Sequence, residues 1–258
     1  MFHVKHLHKE NKLEYIEFKE KLTAAFEINE LSLTVTDERA EKLFRLTEIM
    51  LEVNKTMNLT AITDEDAIIV KHYVDSLTVS KYIPFGATVL DVGCGAGFPC
   101  LPLAIFREDL KITALDATAK RIRYIENTAK TLGITNVTPI AARAEELGKQ
   151  KGYRESFDIV TARAVASLPV LSELCLPFVK LGGSFISMKA SQGEQEALLA
   201  RNAITLCGGS LASIDNCDLK SLGSIVTTDS RFIISIRKIS STSAKFPRHF
   251  SQISKKPL

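Results

Sequence analysis

Apolar and polar positions along this chain follow two regimes that change near residue 86. Across residues 13–82 the apolar side chains recur at helical spacing, with Leu43, Leu46, Met50, Val53 and Met57 on one face. Thr36 ahead of Asp37 and Glu38 predicts a helix start, and Thr63-Asp64-Glu65-Asp66 predicts a second, at capping-box spacing. Pro84-Phe85-Gly86 then interrupts the pattern. Beyond it, short apolar runs predict strands at 88–91, 111–116, 137–141, 157–162, 184–189, 210–214 and 231–238. Helices are predicted between them at 99–107, at 117–132 closed by Gly133, at 168–181 closed by Gly182-Gly183, and at 193–207 closed by Gly208-Gly209. This alternation is the rhythm of a doubly wound α/β fold with a mostly parallel sheet. Residues 215–230 carry no helix before the last strand, which predicts a hairpin-like return and an antiparallel final strand. The predicted organisation is a helical region at 1–86, an α/β domain at 87–240 and a basic tail at 241–258, with no internal repeat.

Composition narrows the class. A chain of 258 residues with 45% hydrophobic content can bury a substantial core. No apolar run approaches the roughly 20 residues that span a bilayer, and Met1-Phe2-His3-Val4-Lys5-His6 has no apolar leader core, so a cytoplasmic protein is expected rather than an exported or membrane one. The five cysteines, Cys94, Cys100, Cys175, Cys207 and Cys217, form no C-x-x-C pair and have no histidine at zinc-ligand spacing; they read as reduced, with no metal site. The net charge of +3 is modest but uneven: residues 231–258 hold seven Lys or Arg and no Asp or Glu. Such a segment either meets a phosphate-rich partner or is a solvated tail.

The chemistry starts at Val89-Leu90-Asp91-Val92-Gly93-Cys94-Gly95-Ala96-Gly97-Phe98-Pro99, a strand running into a turn with glycine at alternate positions. Glycine accepts positive φ without a Cβ penalty and lets a ligand approach the main chain. A dinucleotide fingerprint would need glycine at the sixth position from Gly93, and that position is Phe98. The turn instead resembles motif I of class I S-adenosylmethionine-dependent methyltransferases, whose ligand carries no phosphate. On that reading Gly93, Gly95 and Gly97 border the cofactor, and Asp116, ending the second strand, accepts hydrogen bonds from its ribose hydroxyls. Ala144 and Glu145, after the third strand, offer backbone groups to the adenine edge, or simply open a helix with acidic first-turn residues. Arg163 ends the fourth strand, where a cation in the apolar mouth of a sheet must be paired, to a carboxylate such as Glu145, or must touch a ligand. Lys189, ending the fifth strand, faces the same crevice as a phosphate partner or as a solvated strand end. Lys120, Arg121 and Arg123 could extend the basic surface. His72 beside Asp75 reads as a structural polar pair on a helix face.

Several separated motifs in order resemble one family, the bacterial small-subunit ribosomal RNA guanine-N7 methyltransferases, also called glucose-inhibited division protein B. The likeness covers Met57-Asn58-Leu59-Thr60-Ala61-Ile62, Lys71-His72-Tyr73-Val74-Asp75-Ser76-Leu77, the glycine turn, Arg143-Ala144-Glu145-Glu146, Thr161-Ala162-Arg163-Ala164-Val165-Ala166-Ser167-Leu168, Met188-Lys189, and the ending with Lys245-Phe246-Pro247-Arg248. Cys94, Cys100, Ala190, Ser251 and Ile253 depart from its usual residues. The resemblance implies a class I methyltransferase fold with S-adenosyl-L-methionine as cofactor, and transfer to N7 of one guanosine in 16S ribosomal RNA or the small subunit. It implies a cofactor site at Gly93, Phe98, Ala144, Glu145 and Arg163; the strand-end cations Arg163 and Lys189 are the catalytic candidates, and a monomer is expected. Alternatives on the same fold are a small-molecule methyltransferase, or an RNA-binding assembly factor that holds the cofactor without turnover.

Overall fold

A computed structural model describes residues 9–258; the amino-terminal positions 1–6 read for a leader lie outside them. The chain opens with two long helices, α1 (Lys9–Ile28) and α2 (Asp37–Met57). Thr36 caps α2 as predicted, its hydroxyl accepting from the Arg39 N–H at 3.3 Å. Asp64 caps α3 (Glu65–Ile68), accepting from the Ala67 N–H at 2.9 Å. The helical path continues through a π-turn at Ile69–Val74, α4 (Asp75–Leu77) and a 3₁₀ turn at Thr78–Tyr82.

Then the α/β alternation begins: β1 (Thr88–Val92), α5 (Cys100–Phe106), β2 (Lys111–Asp116), α6 (Ala119–Thr131), β3 (Val137–Ala141), α7 (Ala144–Leu147), β4 (Phe157–Arg163), α8 (Leu168–Cys175) and β5 (Val179–Lys189). It continues with α9 (Gly193–Leu199), α10 (Arg201–Leu206), β6 (Gly209–Asn216), β7 (Leu219–Lys220), β8 (Thr228–Asp229), β9 (Phe232–Lys238) and α11 (Phe250–Lys255). Seven strands form one sheet in the order β3-β2-β1-β4-β5-β9-β6. β1 to β5 pair in parallel, and β9 is antiparallel to both neighbours, so the last strand is wedged between β5 and the edge strand β6. β7 and β8 make the predicted hairpin-like return.

Side-chain alternation along β1 sends Val89 into one apolar cluster and Leu90 and Val92 into the other, as the two-residue period of a strand requires. The first cluster joins α1, α2 and the Ile69–Val74 turn to α5 and α6; Phe18, Leu43, Tyr73, Phe98 and Leu101 meet there. The second lies under α8, α10 and α11 and includes Leu171, Phe178, Phe185 and Ile253. Both faces of the sheet are covered, as a parallel sheet needs.

Three predicted elements differ from those observed. The helix expected over 168–181 stops at Cys175, and β5 starts at Val179, so Gly182-Gly183 lie within the strand instead of ending a helix. A Cβ on Gly183 would stand 2.5 Å from the Asp158 carbonyl oxygen; glycine is needed there because β4 and β5 approach closely beside a register shift. The helix expected over 193–207 is two helices meeting at Ala200. The basic tail is tied down rather than frayed. Arg154 donates to the carbonyls of Gly148, Thr242, Ser243 and Phe246, the Lys238 ammonium is buried against the Leu176 carbonyl and Glu155, and Arg248 forks onto the fully buried Glu173 carboxylate at 2.7 and 2.9 Å. Of the seven cations in residues 231–258, Arg237, Lys245, Lys255 and Lys256 stay exposed.

Candidate active site

The strand order reverses between β1 and β4, and two cavities open there, at the carboxyl ends of the strands. The glycine turn shapes the first. Its Gly93 and Cys94 N–H groups both donate to the Leu115 carbonyl, at 2.7 and 3.0 Å, and the Gly95 N–H donates to Asp116 Oδ2 at 3.1 Å. Gly93, Gly95 and Gly97 have φ of +73°, +56° and +93°. A Cβ on Gly93 would meet Val165 Cγ2 at 2.5 Å, and one on Gly97 would meet Leu101 Cδ1 at 2.5 Å. A Cβ on Gly95 would meet only the Gly93 carbonyl oxygen, at an ordinary 3.8 Å, so its backbone conformation alone calls for glycine.

Asp91, beneath the turn, is a brace. Its carboxylate accepts from the Cys100 N–H at 3.2 Å and the Thr161 hydroxyl at 3.1 Å, and complete burial pushes its pKa up to about 6.

The first cavity, of about 360 Å³, is lined at its floor by Val92, Gly93 and Leu115, on one side by Asp116, Ala117, Thr118 and Arg121, and on the other by Ala142, Arg143, Ala144, Glu145 and Leu174. Ala164, Val165 and Phe250 complete it. Asp116 accepts from the Thr118 N–H at 2.8 Å, and each of its oxygens retains a lone pair for a diol. The cations here are already matched: Arg121 stands 3.6 Å from Asp116, and Arg143 Nε donates to the buried Glu145 carboxylate at 2.5 Å. A site with a free carboxylate edge, apolar walls and no unmatched cation fits a ligand with a ribose, a purine and no phosphate, which is the chemistry of S-adenosylmethionine. Of the residues expected to border the cofactor, Gly93, Asp116, Ala144 and Glu145 line this cavity. Gly95 and Gly97 shape the turn without lining it, Arg163 lines the adjoining second cavity, and Phe98 lies behind it.

Arg163 lines the second cavity, of about 530 Å³, together with Ile62, Lys71, His72, Asp75, Met188, Lys189, Glu196 and Arg231. Ala164 and Val165 line both, so the two cavities adjoin there. Ala164 holds φ of +54°, a strained value for a residue with a Cβ, and strain of this kind gathers at functional sites. The partner of Arg163 is Asp75, not Glu145: Nη1 donates to Asp75 Oδ2 at 2.7 Å and to the Lys71 carbonyl at 3.0 Å. Its guanidinium also lies 5.4 Å from the centroid of the Phe98 ring. On that same ring His72 stacks at 4.4 Å and 10°, so Phe98 is a platform behind the site.

His72 Nδ1 accepts from Arg163 Nη2 at 3.4 Å, which leaves Nε2–H to donate to the Thr60 hydroxyl at 2.9 Å. Burial, then the neighbouring Arg163 charge, lower its pKa to about 3, so the ring is neutral. His72 and Asp75 therefore do not form a pair of their own; both turn toward Arg163. Lys189 donates to the Ala166 carbonyl at 2.5 Å and pairs with Glu196 at 2.8 Å, so it is paired rather than solvated, with one of its three N–H donors beyond these contacts. Arg231 stands 3.5 Å from Asp75, and Lys71 pairs with Asp229 at 2.8 Å. Sequence reading missed Asp75 and His72 as partners of Arg163 and missed Phe250 in the first cavity; only the Lys71-to-Leu77 motif signalled the former.

Fold and site together define the class I S-adenosylmethionine-dependent methyltransferase architecture. A SAM dependent methyltransferase from Aquifex aeolicus shares the fold, at TM-score 0.51 and 16% identity over 75% of this chain and 98% of that one. So does a precorrin-6y C5,15-methyltransferase from Geobacter metallireducens GS-15, at TM-score 0.50 and 16% identity, over 71% and 92%. The sequence profile of the GidB family, described as rRNA small subunit methyltransferase G, matches residues 39–224. Two curated relatives with the name ribosomal RNA small subunit methyltransferase G are similar over most of their length. The one from Leuconostoc citreum (strain KM20) is 41% identical over 90% of this chain and 96% of its own; the one from Staphylococcus carnosus (strain TM300) is 42% identical over 90% and 95%. This chain belongs to the rRNA small subunit methyltransferase G family, and it is a methyltransferase that uses S-adenosylmethionine.

Proposed function

We propose that the protein transfers the methyl group of S-adenosylmethionine to N7 of a guanosine in 16S ribosomal RNA, acting as a monomer in the cytoplasm. The observation that carries this reading is the pair of cavities adjoining at Ala164 and Val165: one with the Asp116 carboxylate and apolar walls, the other lined by Arg163, Lys71, Lys189 and Arg231. All five cysteines are free, as suits a reducing compartment.

When bound, the cofactor supplies an electrophilic methyl group on a sulfonium. Guanine N7 offers an in-plane lone pair and carries no proton, so no residue of the chain has to act as a base toward it. The groups near the second cavity agree with that: His72 is neutral and spent on Thr60 and Arg163, and Asp91 is sealed away from it. Arg163 keeps N–H groups beyond those given to Asp75, Lys71 and His72, and these serve guanine O6 or a flanking phosphate. A donor aimed at N7 itself would consume the lone pair that reacts. The chain's main task is alignment, which can supply about 7–11 kcal/mol of the barrier at best. The base has to leave its stack, at a cost of a few kcal/mol.

The test is incubation with small subunits lacking the mark, labelled donor and mapping of the methylated nucleotide. Label on N7 of one guanosine is expected; label only in protein or free nucleoside, or none, overturns the reading.

A further inference from the structure

We propose that Phe250 is the aromatic wall of the adenosine site, so that the carboxy-terminal segment is part of the cofactor-binding machinery; the proposal rests on the first cavity being the cofactor site. Phe250 opens α11 and is the one aromatic ring among the described residues lining that cavity. It is half-buried and packs at the margin of the apolar cluster that includes Leu174. A half-exposed ring beside an open cavity leaves apolar surface in water, and a planar heteroaromatic ligand would cover it.

The ring is also preorganised. The guanidinium of Arg143 lies 5.1 Å from the ring centroid, and its bond to the buried Glu145 carboxylate fixes it there. The segment leading to the ring is held from the other side. Arg248, two residues before it, donates through its backbone N–H at 2.8 Å and through its guanidinium to Glu173, and Arg154 donates to the Phe246 carbonyl at 3.0 Å. Ile253 anchors the far end of α11 in the core. These contacts do not require a phenylalanine at 250; they deliver one to the cavity. Ribose and the methionine chain offer no flat apolar face, so adenine is the part of the cofactor this ring suits. The segment whose charge suggested a nucleic-acid tail thus serves the donor side of the reaction.

The chain has no tryptophan, so Phe250→Trp introduces a lone indole. Titration of that variant with S-adenosylhomocysteine is expected to quench its emission saturably, and titration with methionine to leave it unchanged. Calorimetry is expected to show Phe250→Ala binding S-adenosylhomocysteine at least about tenfold more weakly than the unaltered protein. Phe250→Tyr, which retains the face, should bind within about twofold, with far-UV circular dichroism of all variants unaltered. Equal affinity of Phe250→Ala and the unaltered protein overturns the proposal. Failure of the unaltered protein to bind S-adenosylhomocysteine at all overturns the reading of the first cavity, and the proposal with it.

Discussion

Gly93 and His72 show how single residues set the limits of this site. Gly93 combines a positive φ with a neighbour, Val165, that a Cβ would strike at 2.5 Å, and Val165 itself lines both cavities. Gly93→Val is expected to abolish measurable binding of S-adenosylhomocysteine in calorimetry while the chain stays folded; unchanged affinity would count against the placement of the turn. His72 titrates near 6.5 in an unfolded chain and near 3 here, because burial and Arg163 oppose its charge. Between those values the unfolded chain takes up a proton that the folded one refuses, so this group's contribution to stability falls as pH drops from about 6.5 towards 3. By pH 4.5 the loss is on the order of 2 kcal/mol. His72→Phe keeps a ring on Phe98 and removes the titration, so its denaturation midpoint should drop less between pH 7 and pH 4.5. Parallel drops in both proteins would rule the assignment out.

Arg163 was legible in the sequence as a cation too costly to leave alone at a strand end. Its partner was not, since Asp75 stands 88 residues earlier and short-range pattern carries no information about such a contact.

At the level of elements, the site forms where the carboxyl end of β4 meets the π-turn at Ile69–Val74 and α4. The π-turn holds Lys71 and His72, and α4 begins at Asp75, so three residues on two consecutive parts of one helical path grip a single guanidinium. On the proposed reading of the two cavities, Arg163→Ala is expected to lower methyl transfer about a hundredfold or more, while affinity for S-adenosylhomocysteine changes little, because the arginine lines the second cavity and not the first. A matching loss of cofactor affinity would move Arg163 back to the donor side.

The alternation of strands and helices was readable because apolar runs bounded by glycine and polar turns are local signals. Gly182-Gly183 misled because glycine after a helical stretch usually marks its end. Here the pair answers a close approach of β4 to β5, which only the register between the two strands reveals. Helix breakage at Ala200 left no comparable mark in the sequence.

Across the molecule, a few buried ion pairs tie distant segments to the sheet. Arg248 on Glu173 joins the carboxy-terminal segment to α8, and Lys238 on Glu155 joins β9 to the stretch before β4. Charge composition alone made the segment look free, since a run of one sign gives no hint of acidic partners elsewhere in the chain. Arg248→Met leaves the Glu173 carboxylate buried without its guanidinium. A loss of about 3–5 kcal/mol is expected, read as a lower thermal midpoint, with weaker binding of S-adenosylhomocysteine as α11 loosens. A fall in midpoint with no change in affinity would uncouple the segment from the cavity.

The lining of the first cavity is scattered along the chain, from Val92 to Phe250. During synthesis the glycine turn emerges early and the last piece of the wall far later. A product of translation aborted just ahead of residue 246, or one clipped there by a protease, would carry every strand of the sheet and still lack Phe250 from the rim of that cavity.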